Sequence, residues 1–315
     1  MKSIKIQILS LMVLTAIWGC EEQLNLAPLS AIGENGFYQN ADEVEGGVVA
    51  IYDGLQAVPQ REFALTEMRS DNTRTRSSEG DWAEFQNLAV QPTNQVVQSY
   101  WADNYNVIFR ANRVIENLEV VEATNLRTQF EAEARFTRAL AHFNLMRAYG
   151  DIPILNQTII QTDTEFFDRD SKDAVLNFIV EDLRFASAAL PAVGDIADGR
   201  ATSGAANALL AKALLWQQNY SEAEGILEDI IASGEYALED DYNNIFYQEM
   251  GPEIIFAIPY LDDDGLESQD FSFEMTVGGR VSGLNYLTDE FLAAMDPEDT
   301  ERNPVLSNPL IAEEV

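Results

Sequence analysis

The chain has one cysteine and one histidine in 315 residues, and few positive charges: 19 Lys+Arg stand against 53 Asp+Glu. A single thiol, Cys20, excludes an internal disulfide, which needs two sulfurs. With so little Cys and His there is no clustered spacing for a zinc site. No Ser/His/Asp or Cys/His nucleophilic set can be assembled either. The formal net charge of -34 works against nucleic acid, where affinity rests on Lys and Arg neutralising phosphates. It equally repels acidic polysaccharides and bare anionic membrane surfaces, and leaves neutral sugars unpenalised. Long apolar runs are missing too. Beyond the N-terminus no stretch approaches the ~20 residues that span a bilayer.

What is present begins with a short basic n-region, Lys2 and Lys5, ahead of a largely apolar run from Ile6 to Trp18 that Gln7, Ser10 and Thr15 interrupt. This reads as a secretory signal, too short and too polar for a spanning helix. Cleavage would fall within Ala16-Ile17-Trp18-Gly19-Cys20. A small residue before a cysteine is the lipoprotein pattern, in which the acylated thiol becomes the first mature residue; Trp18 departs from its stricter form. Residues 1–19 are therefore expected to be the signal and Cys20 the lipidation site, with one domain over 20–315. Glu21 to Gly36, carrying Pro28, Gly33 and Gly36, reads as a tether.

Helical periodicity then dominates. Val44, Val48, Ile51 and Leu55 place a first amphipathic helix over Ala41–Leu55, with Pro59 just past its end. Further helices are expected over 98–121, 128–149 and 172–190, and over 202–217 and 221–233. The second of these pairs Glu131 with Arg135 four residues on, and Gly150 and Pro153 end it. Ser221 and Glu224 suggest a capping box. Tyr220, Ala223 and Leu227 after an alanine-rich helix resemble a tetratricopeptide (TPR) hairpin, although no strict 34-residue repeat exists. The fold class expected is mainly α: TPR-like helical hairpins over about 98–233, with loop-rich regions at about 60–97 and 240–315 that carry a few short strands. Glu253–Tyr260 is the best strand candidate, and a short helix is expected near 289–294.

Several of these segments carry a resemblance. Tyr105-Asn-Val-Ile-Phe-Arg-Ala-Asn112-Arg-Val-Ile-Glu-Asn117 and Glu131-Ala-Glu133-Ala-Arg135-Phe-Thr-Arg138 are similar to the signature helices of SusD/RagB outer-membrane lipoproteins. Tyr149-Gly-Asp-Ile-Pro153, Arg200-Ala-Thr-Ser-Gly-Ala-Ala206, Asn219-Tyr-Ser-Glu-Ala223 and Glu253-Ile-Ile-Phe256 follow in the same order. The resemblance implies a SusD-like fold and a non-catalytic protein that binds glycans or other nutrients outside the cell. It also implies a partner, a SusC-like TonB-dependent transporter that such a protein caps. Glu21 and Glu22 after Cys20 resemble the acidic patch that sends some Bacteroidota lipoproteins to the cell surface. Members of that family usually continue well past the equivalent of Asp299-Thr-Glu-Arg302. The alternative reading is a non-catalytic envelope scaffold without a small-molecule ligand.

Sugar binding asks for flat aromatic faces ringed by amides, carboxylates and guanidinium groups. The segment from Arg69 to Phe85 has that mixture, and the expected ligand-binding residues are Trp82, Asp71, Asn72, Arg74, Arg76 and Phe85. A second platform is expected from Phe271, Phe273 or Tyr286, with Tyr286 favoured. Trp101 and Trp216 sit in helical patterns and read as core, and His142 as a structural histidine. Asp262-Asp263-Asp264-Gly265 lacks the alternating ligand spacing of an EF-hand and reads as a solvated acidic loop, an irregular calcium site being the alternative. Carboxylates are too abundant for a glycosidase pair to be chosen without their separation in space. No cofactor is expected.

Overall fold

The computed structural model describes residues 36–76, 80–159, 163–242, 244–247, 249–261, 285–296 and 298. The chain divides into a unit of Met1–Gln39 and a unit of Asn40–Val315. In the first, the Phe37 and Tyr38 rings meet edge-on at 4.7 Å. Cys20 and the expected signal lie outside the described residues, as do Phe271, Phe273 and the Asp262–Asp264 loop.

The second unit is mainly helical, in the order α1 (Ala41–Leu55), α2 (Val58–Thr66), β1 (Thr73–Thr75), α3 (Asp81–Gln86), α4 (Gln95–Glu116), α5 (Thr124–Tyr149), α6 (Lys172–Ala189), α7 (Ser203–Trp216), α8 (Tyr220–Ser233), α9 (Asn244–Tyr247), β2 (Asn285–Leu287) and α10 (Asp289–Ala294). From α4 to α8 each helix packs on the next, and α1 lies against both α4 and α5. This is the TPR-like array that the apolar spacing implies. Val44, Val48, Ile51 and Leu55 line the buried face of α1, whose start is capped by the Asn40 side chain accepting from the Glu43 amide. Asn94 does the same for α4, accepting from the amides of Val96 and Val97. In α5, Phe130, Phe136, Phe143 and Leu145 are fully buried, each contributing roughly 1.5–3 kcal/mol of burial. Gly150 follows α5 at φ +78°, a conformation that costs glycine nothing, and its amide bonds the Met146 carbonyl at 2.9 Å.

Four local expectations fail. Val58–Thr66 is a helix, because Pro59 lies in its first turn, where a missing N–H costs no hydrogen bond. Helix α8 begins at Tyr220, one residue early, so Ser221 lies inside it and no side chain caps the start. Glu253–Tyr260 forms no strand; no described segment pairs with it. Its side chains dock individually instead: Phe256 meets Phe136 edge-on at 5.0 Å, and the Tyr260 hydroxyl donates to the Gln56 carbonyl at 2.8 Å. Trp216 is 43 % exposed rather than core, because it ends α7, where the Lys172 ammonium lies 5.4 Å from its ring centroid.

The array is cross-linked by buried charge. Arg138 on α5 grips Asp182 on α6 with two parallel hydrogen bonds of 2.8 Å and donates a third, also 2.8 Å, to the Asn112 side chain on α4. Asn112 in turn donates to the carbonyls of Leu155 and Gln157, both at 3.0 Å. One turn earlier on α5, Glu133 accepts two 2.8 Å bonds from Arg200, in the segment before α7. The Tyr52 hydroxyl on α1 donates to Glu133 at 2.9 Å and accepts from the Ala201 amide at 3.0 Å. Burial, and then the Glu133 carboxylate, push the Tyr52 hydroxyl well above its ordinary range, so it serves as a neutral donor. The expected Glu131–Arg135 pair forms at 2.7 Å. His142 is wholly buried; its Nδ1 lies 2.9 Å from the Arg138 carbonyl and its Nε2 accepts from the Leu155 amide at 3.3 Å. Accepting at Nε2 fixes the neutral tautomer with the proton on Nδ1, and burial holds the ring's pKa down to about 3.

Candidate functional site

The segment between α2 and α4 folds around its short polar side chains. After a single 3-10 turn at Glu67–Arg69, the hydroxyls of Ser70 and Thr73 both donate to the Glu67 carbonyl at 2.7 Å. The alternation Thr73-Arg74-Thr75 then forms β1, with both threonines buried and Arg74 turned outward. The Gln86 side chain on α3 accepts from the Thr75 amide at 2.8 Å. Asn94 steadies α3, donating to the Asp81 carbonyl at 3.0 Å and to Glu84 at 2.8 Å, which lowers the Glu84 carboxyl below its ordinary range.

Strand β1 pairs antiparallel with β2, placing Arg74 opposite Tyr286. Thr288 locks the pair. Its amide donates to the Asn72 carbonyl at 2.8 Å, and its hydroxyl donates to the Asp71 carbonyl at 3.0 Å while accepting from Phe291 to cap α10. An open recess of about 550 Å³ results, lined by Asp71, Arg74, Tyr286, Thr288, Asp289 and Glu290. The Arg76 guanidinium lies 5.7 Å from the Tyr286 ring centroid, within cation–π range.

The fold thus brings together four of the residues singled out in the sequence, Asp71, Arg74, Arg76 and Tyr286. Asn72 is exposed beside them and contributes its backbone carbonyl to the Thr288 lock. Trp82 is not a lining residue. It is half-buried on a cluster of Ala64, Met68, Phe85 and Val96, 6.2 Å from the Phe63 ring. Phe85 is 2 % exposed and belongs to that cluster, so it offers no face to a ligand: an aromatic at the second turn of a six-residue helix covers the core under the loop. The short helix expected near 289–294 forms as Asp289–Ala294, but Thr288, Asp289 and Glu290 at its start are not among the residues the sequence marks for the site. No group of three or more His, Cys, Asp or Glu among the described residues could hold a metal ion.

A family model described as SusD-like, starch-binding associating with the outer membrane, matches residues 38–215. The chain belongs to the SusD-like family. A SusD-like protein of Formosa agariphila is 28 % identical over 280 residues, which cover 84 % of this chain and 55 % of that one. A laminarin-binding SusD-like protein of known structure is 28 % identical with a TM-score of 0.64, over 70 % of this chain and 51 % of the other. A SusD homologue from Bacteroides thetaiotaomicron superposes with a TM-score of 0.73 at 20 % identity, over 84 % of this chain and 57 % of that one, a likeness of fold. This SusD-like chain spans about half the length of the curated relatives it matches. Of the residues that carried the resemblance, Asn112, Glu133, Arg138 and Arg200 form the buried cross-links of the array. They hold the helices and line no part of the recess. No described helix of this SusD-like protein is long and apolar enough to cross a membrane.

Proposed function

We propose that this SusD-like protein is a non-catalytic surface lipoprotein, cleaved after residue 19 and anchored through Cys20. It captures a glycan at the β1–β2 recess and delivers it to a SusC-like TonB-dependent outer-membrane transporter. The observation that carries the reading is the pairing of Arg74 with Tyr286 across two strands distant in sequence, with Asp71 and Arg76 beside them. Tyr286 offers a ring for the C–H face of a sugar. Asp71 and Asn72 offer acceptors, and an amide donor, for ring hydroxyls. Trp82, only half-buried, is a candidate second contact at the edge of the same segment.

A laminarin-binding relative makes neutral laminarin oligosaccharides the first probe. Calorimetric titration of the full chain should give saturable binding without release of reducing ends. Absence of binding by laminarin, other glycans, peptides and vitamins alike would favour the scaffold reading, and liberated reducing ends would point to a hydrolase. For the anchor, radiolabelled palmitate should attach to the chain in a bacterial host and fail to attach to Cys20→Ser. The partner reading requires that a SusC-like transporter co-purify with the lipidated protein.

A further inference from the structure

Resting on the reading of the recess as a glycan site, we infer that it selects uncharged glycans and turns away those bearing uronate or sulfate groups. The arginines of this segment suggest the opposite at first sight, since guanidinium groups are common partners of carboxylates and sulfates. The arginine that lines the recess is held out of that role by its hydrogen bonds to the backbone. The Nη1 of Arg74, the one arginine in the lining, donates to the carbonyls of Ser70 at 2.9 Å and Thr73 at 2.7 Å, and Nη2 lies 3.7 Å from Asp71. Turning Arg74 toward an anion would strip two carbonyls that shape the segment. Arg76 lies over the Tyr286 ring, and Arg61 pairs with Asp103 on α4 at 3.9 Å. Arg69 is exposed but is not a lining residue.

Against this stand three exposed carboxylates in the lining, Asp71, Asp289 and Glu290, in a chain of net charge -34. A like-charge contact at ~4 Å in water costs about fivefold in affinity. Arg74, 3.7 Å from Asp71, offsets that carboxylate, and Asp289 and Glu290 still cost a seated uronate at least ~tenfold relative to a neutral sugar of the same shape. The hydroxyls of a neutral sugar lose nothing and find acceptors in the same carboxylates.

The test compares a neutral β-glucan oligosaccharide with an oligouronate of equal length, titrated at ionic strengths of roughly 10 and 150 mM, where the screening length falls from ~30 to ~8 Å. The neutral ligand is expected to bind with an affinity independent of salt. The oligouronate should bind at least ~tenfold more weakly at low salt, with a gap that narrows as salt rises and shrinks in the Asp289→Asn/Glu290→Gln double variant. Oligouronate binding as tight as the neutral ligand, or tightest at low salt, would overturn the selectivity while leaving glycan capture standing. Failure of both ligands and of every other glycan would remove the capture reading itself, and the selectivity with it.

Discussion

In the helical array charge is buried and paired, Arg138 on Asp182 and Arg200 on Glu133; in the β1–β2 recess Asp71, Asp289 and Glu290 stand in solvent around a guanidinium turned to backbone carbonyls. The two regions use the same residue types for opposite ends. In the array, desolvated carboxylates and forked guanidinium groups leave little freedom of geometry, so they fix how α1, α4, α5, α6 and the approach to α7 meet. In the recess, the acids remain open to solvent and to a ligand. A substitution in the first region is therefore expected to be read as lost stability, and one in the second as altered binding.

The largest effect should come from Asp182→Ala, which leaves Arg138 buried with its main partner gone. Denaturant unfolding is expected to show a loss of about 3–5 kcal/mol. Glu133→Gln keeps the volume and removes the charge, so Arg200 keeps weaker bonds and the loss should be about 1.5–3 kcal/mol. His142 gives a comparable figure through pH. Its folded pKa of about 3 lies below the ordinary 6.5, so the unfolded chain takes up the proton first. The stability it contributes is complete above pH ~6.5 and is lost as pH falls toward 3. Between pH 7 and 4.5 the stability gap between wild type and a non-titrating His142→Gln variant should move by about 2–3 kcal/mol against the wild type. An unchanged gap would mean that the imidazole is not held neutral. Arg76→Ala in the recess should change stability by less than ~0.5 kcal/mol, since the guanidinium is exposed. A larger loss there would erase the contrast between the regions.

The array was legible in the sequence because its apolar residues recur at helical spacing. The reading of α1 met both ends of the helix, and α6, α7 and α8 fell within a residue of theirs. Pro59 concealed α2, since the residue that ends helices also begins them. The branched and aromatic run at 253–260 suggested a strand, but a strand needs a partner ladder, which no sequence window contains. Site chemistry was legible only as residue types. That Asp71 and Thr288, 217 residues apart, are joined by a hydrogen bond is a property of the folded chain. Phe85 shows the converse limit. Flanking polar residues in sequence do not reveal that one turn of α3 faces the core.

The most direct measurement is titration of a neutral laminarin oligosaccharide into wild-type protein and into Tyr286→Ala, with circular dichroism to establish that the helices are intact. If the β2 tyrosine carries the stacking contact, affinity drops about tenfold or more, near 1.4 kcal/mol, while the melting curve stays where it was. Equal affinity for both proteins would mean that ligand is held elsewhere on the molecule and would contradict capture at the recess.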